Sequence, residues 1–220
     1  MLKVPSLEKY SIRTGCIVDE NMLLLLLEDI ELADEGLPYS GLAFWLRDKD
    51  WHLSRIDYDG ISAKVISGSP TSRKTIVVGD SGDFSELMKG KVRHGVIKDG
   101  KGIASVKNIR GTVIAVGVLG KVFHMSDSGE WDDLRDKLIE ENLESCCEYP
   151  SGGFLVCGWQ GTIAHYNNGV VEKFESGINV NLTDIVCDNN GKIFSCGQKG
   201  TIVCGQKKCT KTFRIKWYHG

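Results

Sequence analysis

The chain has 220 residues, with 27 basic and 29 acidic side chains and a formal net charge of −2. That length allows one sizeable core, and the near-neutral balance excludes bulk attraction to nucleic acid or to an anionic membrane surface. Residues 1–10 are polar and the apolar run 22–27 is too short to cross a bilayer, so neither an export signal nor an anchor is expected, and the chain is expected in the cytoplasm.

In chain order, residues 10–20, 22–30, 41–47 and 51–58 read as four strands of a divergent first repeat. The connection 29–40 is long for a hairpin, acidic, and broken by Gly36 and Pro38; such loops tend to carry function. A second group of strands runs over 61–98 and a third over 102–138, with the strongly β-branched stretch 112–116 as a buried strand. Leu134, Leu138 and Ile139 stand at helical spacing within the acidic stretch 131–144, which predicts a short helix there. A fourth group covers 142–177, with the hairpin turn Asn167-Asn168-Gly169, and a fifth covers 181–217, with the turn Asp188-Asn189-Asn190-Gly191.

A repeat underlies this grouping. Val156-Cys157-Gly158-Trp159-Gln160-Gly161-Thr162-Ile163 recurs in altered form around Gly79, Gly117 and Gly197, and the steps between first glycines are 38, 41 and 39 residues. A fixed period near 40 marks a repeat architecture. An apolar run, Gly, two variable residues, Gly and a second apolar run reads as strand, tight turn, strand, with glycine providing positive φ at the turn. Further turn signals at Gly90, Gly129 and Gly169, and at Gly111, Gly152 and Gly191, cut each period into four strand lengths. Four short antiparallel strands per period is a propeller blade. The expected fold is therefore all-β: a small β-propeller of about five four-stranded blades, at roughly 8–58, 61–98, 102–138, 142–177 and 181–217, forming a single domain over 1–220. Ring closure would protect the sheet edges.

The V-x-G-x-x-G-x-I unit resembles the repeats of sialidase-like and photosystem-assembly-factor propellers. Ser126-Asp127-Ser128-Gly129-Glu130-Trp131 is similar to a loose Asp-box turn. This resemblance covers about residues 60–217 and implies fold alone; no sialidase site residues can be matched. Small cytosolic propellers with eroded repeats also resemble partner-specific inhibitors, which implies an immunity protein that neutralises a toxin.

The eight cysteines sit mostly in apolar strands and no C-x-x-C pair occurs, so reduced thiols and no structural zinc are expected. His124 and His165 share one phase in adjacent blades, which leaves a metal or catalytic pair open beside two structural histidines; no H-E-x-x-H or G-x-S-x-G element accompanies them. No cofactor, metal or catalytic residue is therefore assigned. Trp159 lies between two turn glycines, where the fold needs the glycines but not the indole. In a four-stranded blade the second turn and the crossover to the next blade lie on one face. That face would carry Asp29, Glu31, Asp34, Glu35 and Tyr39 from the first connection, Asp80 and Trp159-Gln160 from turn tips, and Glu140 and Glu141 from a crossover. The expected function is non-enzymatic binding of a basic protein partner, best an immunity protein against a nuclease toxin, as a monomer in a heterodimeric complex. A central-channel enzyme or lectin and an assembly scaffold are the alternatives.

Overall fold

The computed structural model describes residues 9–19, 22–35, 40–46, 52–56, 58–67, 74–88, 91–206 and 209–214. They form two compact units, Met1–Ile103 and Ala104–Gly220, with the strand at the boundary belonging to a sheet of the second.

The first unit holds two four-stranded antiparallel sheets. One is β1 (Tyr10–Asp19), β2 (Met22–Asp29), β3 (Ser40–Leu46) and β4 (His52–Arg55); the other is β5 (Gly60–Ser67), β6 (Lys74–Gly79), β7 (Asp83–Met88) and β8 (Lys91–Val96). Leu24 and Leu26 of β2 pack with Ile56 and Val77 between the sheets, which is why β2 reads as a continuous apolar run. Tyr58 extends this contact, donating its hydroxyl to Val77 O at 3.1 Å.

The second unit holds three more sheets of the same order. They are β9 (Ile103–Ile109), β10 (Thr112–Gly117), β11 (Val122–Met125) and β12 (Trp131–Asp133); β13 (Leu143–Glu148), β14 (Phe154–Gly158), β15 (Ile163–Asn167) and β16 (Val170–Phe174); and β17 (Leu182–Cys187), β18 (Ile193–Gly197), β19 (Thr201–Gln206) and β20 (Cys209–Arg214). Strand β14 of the middle sheet is buried on both faces. Phe154 and Val156 of β14 enter one cluster with Ile114, Val116 and Leu143, while Leu155 and Cys157 enter another with Ile185, Ile193 and Val203. Each large aliphatic so buried contributes roughly 1.5–3 kcal/mol. Alternation of period two along β14 therefore serves two cores, and no polar face is left.

Five four-stranded sheets thus appear among the described residues at the expected places. One local expectation fails. Residues 131–144 contain no helix: Trp131–Asp133 is the fourth strand of its sheet, and turns and extended chain follow. Asp133 Oδ1 accepts the N–H of Arg135 at 2.9 Å and Asp136 Oδ1 that of Leu138 at 2.8 Å, and such local bonds compete with helix formation. Leu134 and Leu138 are exposed; only Ile139 is buried. The connection after β2 instead opens with a one-turn helix, α1 (Ile30–Asp34).

Candidate functional site

The glycine turns of the second unit are built differently from the sequence expectation. Gly158 is extended, at φ −173°. A side chain there would collide with the carbonyl oxygen of Asn142, so the first glycine is required by close approach of another segment, not by positive φ. Positive φ falls on the next pair, Gln160 (55°) and Gly161 (73°), with the N–H of Thr162 donating to Trp159 O at 3.0 Å, as a type I′ turn requires. Leu119-Gly120 and Lys199-Gly200 repeat this geometry.

Two asparagines that sequence reasoning missed hold these turns. The main-chain oxygen of Asn142 accepts Trp159 N–H at 2.8 Å, and its Oδ1 accepts Leu119 N–H, from the preceding sheet's turn, at 3.0 Å. Asn181 does the same one repeat later, taking Gln198 N–H at 2.9 Å and Gln160 N–H at 3.2 Å. The signal was the dipeptide Asn-Leu at 142–143 and again at 181–182. The crossovers therefore lie beside the turn tips in this unit, with Gly120 N–H donating to Glu141 O at 2.9 Å.

On this frame Trp159 is 43% exposed at a turn tip. Its indole is oriented, because Nε1 donates to Glu144 Oε1 at 2.7 Å. Gln160 is exposed beside it and Glu140 is exposed on the crossover. Glu141 is half-buried and ion-paired to Lys173 at 2.5 Å. Burial is the largest single influence on Glu141 and opposes its ionisation, but the hydrogen bond and charge of Lys173 together with local backbone N–H groups outweigh it and hold the carboxyl below its usual range.

The first unit treats its expected residues unequally. Asp29 is 2% exposed. Its carboxylate caps α1 by accepting Leu32 N–H at 3.4 Å and pairs with Lys9 at 3.2 Å, so it acts inside the unit. Glu31, Asp34 and Glu35 are exposed on and after α1, and Asp80 is exposed on the turn after β6. The two connections share one end of the packed sheets, where Gly60 N–H donates to Ser40 Oγ at 2.7 Å. Tyr39 lies outside the described residues.

The histidines take local partners. His165 is buried, with Nε2 at 2.8 Å from Gly152 O and its ring edge-on to Tyr149. His124 Nδ1 lies 3.6 Å from Asp132. His94 Nδ1 lies 2.9 Å from the Oγ of Ser85, which is fully buried. Among the described residues no group of three or more His, Cys, Asp or Glu is placed to hold a metal. No described helix is long and apolar enough to cross a membrane.

No family model matches the chain. It is 21% identical over 210 residues to Immune protein Tsi7 of Pseudomonas aeruginosa, with 88% of this chain and 68% of that protein covered. Among solved structures it is similar to the WD40 β-propeller domain of Doa1, at 14% identity and TM-score 0.71, over 93% of this chain and 68% of that one. It is also similar to virginiamycin B lyase from Staphylococcus aureus, at 9% identity and TM-score 0.69, over 91% and 69% of the two chains. YCF48 bound to D1 peptide matches at 14% identity and TM-score 0.63, over 90% and 64%. These likenesses show a β-propeller fold.

Proposed function

We propose that this chain is a protein-binding propeller with an immunity role, which binds a toxin protein and neutralises it by occupancy instead of chemistry. The observation that carries this reading is the similarity to Immune protein Tsi7, which runs through most of the chain and not through one blade. Propeller turn tips suit such a task, because the glycines and asparagines hold the backbone while the tip residues are free to vary. In the second unit the contact residues would be Trp159, Gln160, Glu140 and Glu141; in the first, Glu31, Asp34, Glu35 and Asp80. Acidic tips favour a basic partner, and a nuclease presents a basic surface to its nucleic acid. The chain would act in the cytoplasm, as a monomer in a one-to-one complex.

The test is co-expression with a candidate toxin domain, sought first among the genes that adjoin its own, in a bacterial host that this toxin kills. Growth should be restored and a stable complex should co-elute. Cell death at equal expression, with no complex, overturns the reading.

A further inference from the structure

Leu119, in the turn between β10 and β11, works against the fold twice. Its backbone stands at φ 55°, in the left-handed region, and its side chain is 68% exposed. Type I′ turns favour Asn, Asp or Gly at such a position, and a bulky apolar residue there is an outlier. The same position in the next two sheets holds polar residues, Gln160 and Lys199. Backbone strain of this kind clusters where a protein meets its ligands. Nor does Leu119 stand alone on the surface. Its N–H donates to Asn142 Oδ1 at 3.0 Å and the Trp159 N–H donates to Asn142 O at 2.8 Å, so two exposed apolar tips flank one residue.

Beside Leu119 the crossover from β12 to β13 forms an open groove of about 400 Å³, lined by Leu119, Arg135, Asp136, Lys137, Ile139 and Glu140. Turn and crossover are fixed to each other, since Gly120 N–H donates to Glu141 O at 2.9 Å and Ile139 is buried. The lining carries two cations, Arg135 and Lys137, and two carboxylates, Asp136 and Glu140. Arg135 is oriented by Asp133, with Nε 2.7 Å from Oδ2, and Asp136 by the N–H of Leu138, which its Oδ1 accepts at 2.8 Å. A charged ligand of either sign meets as much repulsion as attraction there. A neutral ring instead buries apolar area against Leu119, and the two cations favour an aromatic face over an aliphatic chain.

We infer that this groove receives an aromatic side chain of the protein partner, with Leu119 as its apolar contact and Arg135 and Lys137 as its cations. The inference rests on the protein-binding reading above, but its first test needs no partner. The full chain is titrated with Nα-acetyl-phenylalanine amide, and backbone amide shifts are followed at Leu119, Gly120, Lys137 and Glu140. Saturable shifts at these positions are expected. They should be weaker with Nα-acetyl-leucine amide and absent with Nα-acetyl-glutamine amide. Leu119→Asn should abolish the phenylalanine shifts and loosen a complex with the cognate toxin domain about tenfold or more, as truncation at a hot spot does. The same variant should melt no lower than wild type, because asparagine suits the left-handed backbone better than leucine.

A flat titration with the phenylalanine amide, or equal shifts with the leucine or glutamine amide, would overturn the proposal. So would a Leu119→Asn variant that melts lower yet binds as wild type does, since the leucine would then serve the fold. Failure of toxin protection with a positive titration would sink the immunity reading and leave the groove's preference standing. Protection with a flat titration would do the reverse.

Discussion

Asn142 and Asn181 stand one repeat apart and make the same two bonds, main-chain oxygen to the turn of their own sheet and side-chain oxygen to the turn of the sheet before. Each stitches neighbouring blades at the level of the turn tips. Asn142→Ala leaves Leu119 N–H without its acceptor, though near enough to solvent to be hydrated. We expect a loss of about 1 kcal/mol, seen as a fall of about 2–4 °C in Tm for a chain of this size. An unchanged Tm would mean that the stitch contributes nothing.

The two kinds of turn glycine should separate on substitution. At Gly158 the backbone is extended and a methyl group would meet the Asn142 carbonyl, whereas at Gly169 φ is +76° with open space around. Gly158→Ala forces two chain segments apart and should cost about 3 kcal/mol or more. Gly169→Ala meets only the left-handed strain of about 1–2 kcal/mol, and Gly169→Asn should lose less. Chemical denaturation of the three variants checks the order; Gly169→Ala as the worst of them would contradict it.

The period of the glycines exposes four of the five sheets in the sequence, and at Gly79, Gly158 and Gly197 the first glycine recurs because a side chain there would collide with a neighbouring segment. The asparagine stitches were not legible, since a side chain bonding across 23 residues leaves only a two-residue trace. The stretch 131–144 misled for a physical reason: Leu134, Leu138 and Ile139 imitate a helix face, while Asp133 and Asp136 take local N–H groups that a helix would need elsewhere. The exposure of Trp159 could be read from its place between glycines. The role of Asp29 could not, because an N-cap and a surface carboxylate look alike until the helix behind them is seen.

Thiol reactivity should follow burial. Burial pushes Cys146 and Cys147 up to about 12 and Cys157 still higher, while Cys196 is exposed. The thiolate is the reactive form. Native alkylation with iodoacetamide should therefore modify Cys196 early and leave Cys146 and Cys157 until denaturant is added. Peptide mapping by mass spectrometry measures this, and early modification of Cys157 would show that the core between β14 and β18 opens.

The Glu141–Lys173 pair links stability to pH in one direction. A carboxyl whose folded pKa is depressed stabilises fully above its unfolded value, near 4.5, and loses that contribution as pH falls through the lower folded value. Glu141→Gln should melt below wild type at neutral pH, and the gap should close as pH is lowered towards about 3. Thermal melts across that window decide it; a gap that stays constant or widens in acid would exclude the ion pair as its source.

Trp159 is the expected anchor of the partner complex. Its indole is 43% exposed, yet already oriented by the 2.7 Å bond to Glu144, so docking would cost little further ordering. Truncating such an aromatic at the centre of an interface typically weakens binding by roughly 2 kcal/mol or more, and Trp159→Ala should do so chiefly through faster dissociation. Trp159→Phe keeps a ring but not the N–H that positions it, and should fall between. Glu31→Lys with Glu35→Lys should act differently, slowing association most at low salt, where charges on the rim steer encounter over the longest range. None of these side chains belongs to the core, so Tm should hold within about 2 °C. Surface plasmon resonance against the cognate toxin domain at two salt concentrations separates the effects. Wild-type kinetics in both the tryptophan and the charge-reversal variants would move the interface away from the turn tips altogether.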